Sequence, residues 1–294
     1  MGPRLPAWLR KPQTAFLELH EIKRDLRRWD LHTVCESARC PNIHGCFQRR
    51  TATFMILGGS CTRTCRFCAV PKAGGKLPPP DPDEPMRVAQ MAARLGLAHV
   101  VVTSVNRDDL PDRGAAHFGA VIHALRAVLP TARVEVLTPD FCGDLEAVAC
   151  VLKAGPDVFN HNVETVARLY PRVRPQADYR RSLEVLAFAR GNLPGGLVKS
   201  GFMVGLGETS EEVHELLRDL CGAGVEVVTI GQYLQPTLRN LPVAAYLSPE
   251  QFEAYRDYGL SLGLRMVFSG PFVRSSYMAE QVATLLGASG GERL

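Results

Sequence analysis

The cysteines of this chain are concentrated in two triplets near its N-terminus. Six of the nine cysteines form the spacings C-x4-C-x5-C (Cys35, Cys40, Cys46) and C-x3-C-x2-C (Cys61, Cys65, Cys68). The odd number of cysteines and the lack of a secretory hydrophobic segment argue against a disulfide framework. Crowded cysteines in a reducing compartment usually bind metal.

The number of cysteines in each group distinguishes between two kinds of metal site. Structural zinc takes four protein ligands, usually from C-x2-C pairs, and its coordination shell is closed. Three thiolates on a [4Fe–4S] cluster leave the fourth iron open to another ligand. The spacing therefore favours iron–sulfur clusters. A zinc-stabilised nucleic-acid-binding module that uses the basic N-terminus stays as an alternative.

Composition and charge narrow the class of protein. With 294 residues, 46% hydrophobic and 22% charged, the chain suits one α/β barrel. No apolar run approaches the roughly 20 residues that span a bilayer, so we expect a soluble, cytoplasmic protein without a membrane partner. Residues 1–50 hold ten Lys/Arg and five Asp/Glu, a net charge of +5 in a chain of net charge +4. This basic segment is either a solvated helix face or a docking site for an acidic partner.

Strand and helix patterns alternate along the rest of the chain and position the second triplet. Apolar strands are predicted at 52–57, 98–103, 133–137, 157–159, 197–203 and 226–230, with amphipathic helices between them. This pattern predicts an α/β fold, a partial (β/α)6 TIM-like barrel over 51–245 with extensions at 1–50 and 246–294. An amphipathic helix is expected over 13–31, and the first triplet in the loop after it. The second triplet follows the first strand, where α/β barrels place their chemistry.

Several motifs carry a family resemblance. Cys61-x3-Cys65-x-Phe67-Cys68 after the first strand resembles the cluster motif of radical S-adenosylmethionine (SAM) enzymes. Within that superfamily, Cys35-x4-Cys40-Pro-Asn-x3-Cys46 and Arg274-Ser-Ser-Tyr277 resemble the lipoyl synthase family, and the resemblance covers about residues 5–285. Two positions depart from the family pattern: Arg113 stands where a glycine is usual, and Asn240 where a histidine is usual.

The resemblance implies two [4Fe–4S] clusters and a radical reaction. Cys61, Cys65 and Cys68 would hold the cluster that binds SAM, and reductive cleavage of SAM would give a 5′-deoxyadenosyl radical. This radical would remove hydrogen from C6 and then C8 of an octanoyl chain on a carrier lysine. Cys35, Cys40 and Cys46, with Ser276 as fourth ligand, would hold an auxiliary cluster that donates both sulfur atoms and is consumed. No catalytic acid or base is expected, since an alkyl C–H bond offers no acidic proton.

The resemblance also implies SAM contacts at the strand ends. Asn162 and Glu164, two apart on an extended strand end, share a face and would bind the SAM ribose. Thr103 and Ser104 would meet its methionine moiety, whereas His161 is expected to face away from the site. Further candidates are glycines beside adenine and cations for the SAM carboxylate: Gly201, Gly205, Gly207, Arg174, Arg180 and Lys199. In the Arg274-Ser-Ser-Tyr277 segment, alternation along an extended chain is expected to direct only Ser276, and not Ser275, at the iron.

Partners follow from the same resemblance. The expected substrate is an octanoylated lipoyl-carrier domain, of a 2-oxoacid dehydrogenase E2 or the glycine cleavage H protein. An electron donor such as ferredoxin or flavodoxin and an iron–sulfur carrier that rebuilds the auxiliary cluster are also expected, and nucleic acid is not. The alternatives within the superfamily are another sulfur-inserting enzyme and an RNA methylthiotransferase.

Overall fold

The computed structural model describes residues 5–9, 17–37, 40, 42, 53–276 and 278–288. Cys46 and Tyr277 lie outside the described residues, so the predictions that involve them are not addressed by the structure. Within the described part, no helix combines the length and the apolar character that crossing a bilayer requires.

Eight strands form one sheet in which the spatial order equals the chain order. Strand β1 pairs antiparallel with β2, and every later neighbour pairs in parallel. The strands are β1 (His32–Thr33), β2 (Thr53–Ile56), β3 (His99–Ser104), β4 (Arg133–Leu137), β5 (Val158–Asn160), β6 (Leu197–Val204), β7 (Val227–Gln232) and β8 (Met266–Gly270). Because β1 and β8 are the two ends of this order, the sheet is an open, partial barrel.

Helices lie before, between and after the strands, and those between β2 and β8 cross between consecutive parallel strands. The described helices are α1 (Leu17–Arg28), α2 (Val34–Ser37), α3 (Glu84–Arg94), α4 (Ala115–Val128), α5 (Leu145–Lys153), α6 (Tyr170–Val173), α7 (Tyr179–Asn192), α8 (Ser210–Gly222), α9 (Pro249–Ser261) and α10 (Ala279–Ala288). Side-chain caps fix where several of them begin. Thr209 and Glu212 form a capping box at α8, and Asp144 accepts two backbone N–H bonds at α5.

The six predicted strands and the partial-barrel α/β class are confirmed. The structure adds α9 and β8, which continue the parallel sheet beyond residue 245, and the two-residue strand β1. Strand β8 gives a weak sequence signal because, of its five residues, only Val267 is fully buried. The first triplet also differs from expectation, because Cys35 lies in the short helix α2 rather than in a loop.

A buried ion pair links β4 and β6, the two strands on either side of β5. Lys199 Nζ donates to Glu135 Oε1 at 2.9 Å, and both side chains are fully buried. Asn160 Nδ2 donates to the same carboxylate at 3.0 Å, and His99 Nε2 lies 3.3 Å from its other oxygen. Burial opposes ionisation of Glu135, but the charge of Lys199 outweighs burial and lowers the pKa of Glu135 to about 2.

We predict that Lys199→Met destabilises the fold by about 3–5 kcal/mol at pH 7, because it leaves a buried carboxylate unpaired. The pKa of Glu135 is lowered on folding, so its ionised form contributes stability above the unfolded pKa of about 4.3, and this contribution disappears as the pH falls towards 2. The difference between wild type and variant should therefore shrink across this range in urea unfolding. The double variant Lys199→Met/Glu135→Leu should recover most of the loss. A pH-independent difference would contradict this account.

Candidate active site

A cavity of about 460 Å³ opens at the carboxyl ends of the parallel strands. It brings together residues from both cysteine triplets, from the ends of β3 and β5, and from the C-terminal segment. The predicted site residues that line it are Cys35, Cys40, Cys61, Cys65, Cys68, Thr103, Ser104, Asn162, Glu164 and Ser276. Every described residue among the predicted cluster ligands and the four SAM contacts at the strand ends therefore lies at one cavity.

The backbone of the second triplet is fixed by neighbouring loops. Cys61 N–H donates to the carbonyl of Pro71 at 2.9 Å, and its own carbonyl accepts from Ala73 N–H at 2.8 Å. Asn106, in the loop after β3, donates its backbone N–H to Cys61 Sγ at 3.4 Å. A thiolate ligand held by a backbone donor keeps its orientation, as ligands of metal clusters need.

Arg63, between the first two cysteines of this triplet, is an internal anchor. Its side chain is 2% exposed and forms ion pairs with Asp108 and with the fully buried Asp140. Burial opposes the ionisation of Asp140, but its bonds to Arg63 outweigh burial and lower the pKa of Asp140 to about 2. The loops after β2, β3 and β4 are thereby tied to one guanidinium.

Asn240 closes the other side of the triplet. Its Nδ2 donates to the carbonyls of Arg66 and Cys68, each at 3.1 Å. Thr237 Oγ1 donates to Asn240 Oδ1 at 2.7 Å, so the Nδ2 end of the amide faces the loop. This residue, one of the two departures from the family pattern, therefore contacts the loop that carries Cys65 and Cys68.

Two thiols of the triplet, Cys65 and Cys68, are in an environment that favours the neutral form. Burial raises the pKa of Cys65, against the opposing charge of Arg174, and raises that of Cys68 to about 11. Iron coordination reverses this preference, because a ligating thiol is deprotonated. Within the described residues, no group of three His, Cys, Asp or Glu side chains could hold a single metal ion. All three cysteines of this triplet nevertheless line the cavity.

Asn162 and Glu164 face each other at the cavity wall. Asn162 Nδ2 donates to Glu164 Oε1 at 3.1 Å, so the two side chains meet as predicted although β5 ends at Asn160, while Asn162 Oδ1 is buried without a partner in the described structure. Glu164 has φ +65° and is held there by backbone bonds to Gly201 and Met203. Burial raises the pKa of Glu164, against the opposing charge of Arg174. A carboxylate on a residue with a strained backbone, together with an unpaired amide oxygen, suits a polar ligand such as a ribose.

The two residues that end β3 differ in availability. Thr103 Oγ1 donates to the carbonyl of Leu137 at 2.8 Å, whereas Ser104 Oγ has no partner among the described residues. His161 is buried and its Nδ1 lies 2.9 Å from the carbonyl of Thr138. Contrary to expectation it also lines the cavity, because the chain leaves the extended strand after Asn160.

The first triplet meets the C-terminal segment at the same cavity. Cys40 N–H donates to the carbonyl of Cys35 at 3.2 Å, and Asn42 Nδ2 donates to the carbonyl of Phe272 at 2.7 Å. Thr53 Oγ1, at the start of β2, donates to Ser276 Oγ at 2.8 Å. Residues 223 positions apart are thus brought into direct contact.

The expected alternation at Ser275 and Ser276 is wrong. The two residues lie in a turn, not in an extended segment, and both line the cavity. The direction of each hydroxyl therefore follows from the turn, and the period-two argument does not distinguish them.

Of the further candidates, the structure places only Gly201 and Arg174 at the cavity. Lys199 is instead paired with Glu135, and Arg180 lies exposed on α7. Gly205 is a packing position, since a Cβ there would meet the Gln232 side chain and the Ala245 carbonyl. Two further residues line the cavity without having been predicted as contacts, Asn106 in the loop after β3 and Arg274. Arg274 belongs to the C-terminal motif, which carried a signal for it.

Comparison with known proteins agrees with this geometry. A model of the radical SAM superfamily matches residues 55–220, more than half of the chain. Solved structures with the same fold include methylornithine synthase (TM-score 0.53, 14% identity, 82% of each chain) and HydG, a maturase of the [FeFe]-hydrogenase (TM-score 0.55, 14% identity, 92% of this chain and 74% of that chain). The chain is a radical SAM protein.

A second family model and full-length relatives narrow the assignment. The model for the N-terminal domain of lipoyl synthase matches residues 2–40. A lipoyl synthase of Rubrobacter xylanophilus is 55% identical over 94% of this chain and 85% of the relative. One of Thermus thermophilus is 52% identical over 94% of this chain and 86% of the relative. This chain belongs to the lipoyl synthase family.

We predict that Asn240→Asp weakens retention of the cluster at Cys61, Cys65 and Cys68, because it turns a double donor into an acceptor facing two carbonyls. Two hydrogen bonds at about 0.5–1.5 kcal/mol each correspond to roughly tenfold faster loss of iron to a chelator. Iron release followed by absorbance measures this without turnover. Asn240→His, which keeps a ring N–H donor, is the matched control and should remain close to wild type. Equal release rates for all three proteins would remove Asn240 from this role.

Proposed function

We propose that this protein inserts sulfur at C6 and C8 of an octanoyl group on a protein lysine, giving the lipoyl group. The observation that carries the proposal is the single cavity lined by two cysteine groups, a polar pair and apolar side chains. The apolar lining, which includes Met55, Val105 and Leu137, suits an alkyl chain. The family membership of the chain supports the same reaction.

The polar half of the cavity suits SAM and the cluster that binds it. Cys61, Cys65 and Cys68 would ligate three irons, and Asn162 with Glu164 would hold the ribose. When bound, the reduced cluster and SAM supply the one-electron chemistry that breaks an unactivated C–H bond. The protein positions the alkyl chain beside them and excludes water, which would otherwise compete for reactive species. Thr103 and Ser104 would orient the methionine end of SAM, Ser104 through its unpartnered hydroxyl.

The first triplet would hold the sulfur donor, a second [4Fe–4S] cluster that acts as a co-substrate. Cys35, Cys40 and Cys46 would be its thiolate ligands and Ser276 the fourth. The position of Ser276 in the cavity wall, beside Thr53, supports this assignment. A serine oxygen is a harder and less usual ligand for such a cluster than a thiolate, which suits a cluster that must give up an iron.

The substrate would be an octanoylated carrier domain, from a 2-oxoacid dehydrogenase E2 or the glycine cleavage H protein. A ferredoxin or flavodoxin would supply electrons, and an iron–sulfur carrier would rebuild the donor cluster after each turnover. The basic charge of residues 1–50 stays a prediction for carrier docking.

Anaerobic incubation with SAM, a reductant and an octanoyl-lysyl peptide tests the proposal. Mass spectrometry should find a peptide that has gained two sulfur atoms and lost two hydrogens. Cys65→Ala should abolish formation of 5′-deoxyadenosine, because SAM loses its iron anchor. Cys40→Ala should retain some SAM cleavage but insert no sulfur. Equal loss of SAM cleavage in both variants, with folds intact, would contradict the division of labour between the triplets.

We predict that Glu164→Gln weakens SAM binding about 10- to 150-fold without changing iron content. A hydrogen bond to a charged group is worth roughly 1.5–3 kcal/mol, and the amide keeps the shape but loses the charge. Equilibrium SAM binding to the cluster-loaded protein measures the effect. Glu146→Gln, on the exposed side of α5, is the control. Unchanged SAM affinity would exclude Glu164 from the ribose site.

A further inference from the structure

Three segments that form part of the cavity wall contain no acidic residue. Residues 61–76, 170–177 and 234–247 hold seven Lys/Arg and no Asp/Glu, in a chain with 30 acidic residues among 294. Each segment contributes lining side chains, among them Lys72, Arg174 and Pro236. All the charged residues of these three segments are therefore positive, although the whole chain is nearly balanced, and one of them, Arg63, is neutralised by Asp108 and Asp140.

Backbone hydrogen bonds bring the three segments side by side. Arg66 N–H donates to the carbonyl of Val173 at 2.9 Å, and the Arg66 carbonyl accepts from Leu241 N–H at 3.1 Å. Arg172 is the neighbour of Val173 in the chain, and Arg239 is two residues from Leu241. Three chain segments that are distant in sequence and that each carry an arginine are thus joined at the loop of the second triplet.

Arg66, Lys72, Arg172 and Arg239, here called the cationic rim, are exposed. Within the described part of the chain, none of them forms an ion pair. Some exposed arginines elsewhere do have partners, as Arg168 has Glu212 and Arg218 has Glu211, whereas Arg180 has none among the described residues. Like charges without counter-charges produce a local positive potential that attracts an acidic partner.

Leu238, which precedes Arg239 of the rim in the chain, is 96% exposed. A single exposed leucine is ordinary, but this one lies in a loop whose shape is fixed by the bond between Thr237 and Asn240. Its chain neighbour Arg239 belongs to the rim. An apolar side chain surrounded by charges is the usual anatomy of a protein interface, with an anchor at the centre and a polar edge.

We propose that the cationic rim and Leu238 dock the acidic face of the protein domain that carries the acylated lysine. This inference rests on the proposed function, since an acyl chain that reacts inside the cavity brings its carrier domain to the mouth. Lys72 is both exposed and part of the lining, which places the rim at that mouth. Leu238 would contact an apolar patch on the carrier beside the modified lysine.

The test uses cluster-loaded protein and an octanoylated, negatively charged carrier domain without reductant, so that binding is measured without turnover. Arg172→Glu/Arg239→Glu should raise the Kd about tenfold or more at low salt. The difference should shrink above about 0.1 M salt, where the Debye length is about 10 Å. Leu238→Ser should raise the Kd at every salt concentration. The KM for a short, neutral octanoyl-lysyl peptide should stay within about twofold of wild type in both.

A matched control carries the same change in net charge elsewhere. Lys153→Glu/Arg256→Glu, on α5 and α9, should leave the Kd for the carrier unchanged. Wild-type binding by the Arg172/Arg239 variant, or equal weakening by the control, would overturn the docking proposal. Sulfur insertion into the peptide by the wild-type protein tests the proposed function separately, because the peptide has no domain to dock.

Discussion

The buried guanidinium of Arg63 is the interaction on which the site depends. A loop that carries three cluster ligands has no ladder of hydrogen bonds of its own, so its shape must be set by its neighbours. Arg63 meets this need by binding Asp108 and Asp140, which follow β3 and β4. The charged guanidinium is tolerated in the interior because both carboxylates neutralise it. The Arg63 side chain thus fixes the position of the cysteine loop relative to the parallel sheet.

The second constraint is the contact between segments from the N- and C-terminal parts of the chain. Asn42 bonds to the Phe272 carbonyl, and Thr53 bonds to Ser276, so the N- and C-terminal segments meet beside the first strand. This junction places Cys35, Cys40 and Ser276 in the same cavity as Cys61, Cys65 and Cys68. An open sheet is useful here, since a closed eight-stranded barrel fills its interior with side chains.

Much of this arrangement could be predicted from the sequence, and the failures have physical reasons. The six central strands are buried on both faces, so each gives an apolar run in the sequence. Placing these runs side by side in chain order reproduces the order of the strands in the sheet. Strand β8 was missed because it is mostly half-buried, so its pattern is weak. The side chains of Ser275 and Ser276 were misdirected because alternation holds only in extended chain, and these residues form a turn. Lys199 was predicted as a candidate contact for the SAM carboxylate. Its actual partner, Glu135, is 64 residues away, and the sequence around Lys199 gives no sign of that pairing.

The two departures from the family pattern are compensated at the same loop system. Arg113 has φ +56°, a conformation that favours glycine, but its Nη1 donates to the carbonyls of Asp108 and Leu110. Those two bonds offset a strain of about 1 kcal/mol and hold the segment that presents Asp108 to Arg63. Asn240 holds the opposite side through the Arg66 and Cys68 carbonyls. Both residues therefore donate to backbone carbonyls, Arg113 in the loop after β3 and Asn240 in the loop of the second triplet itself.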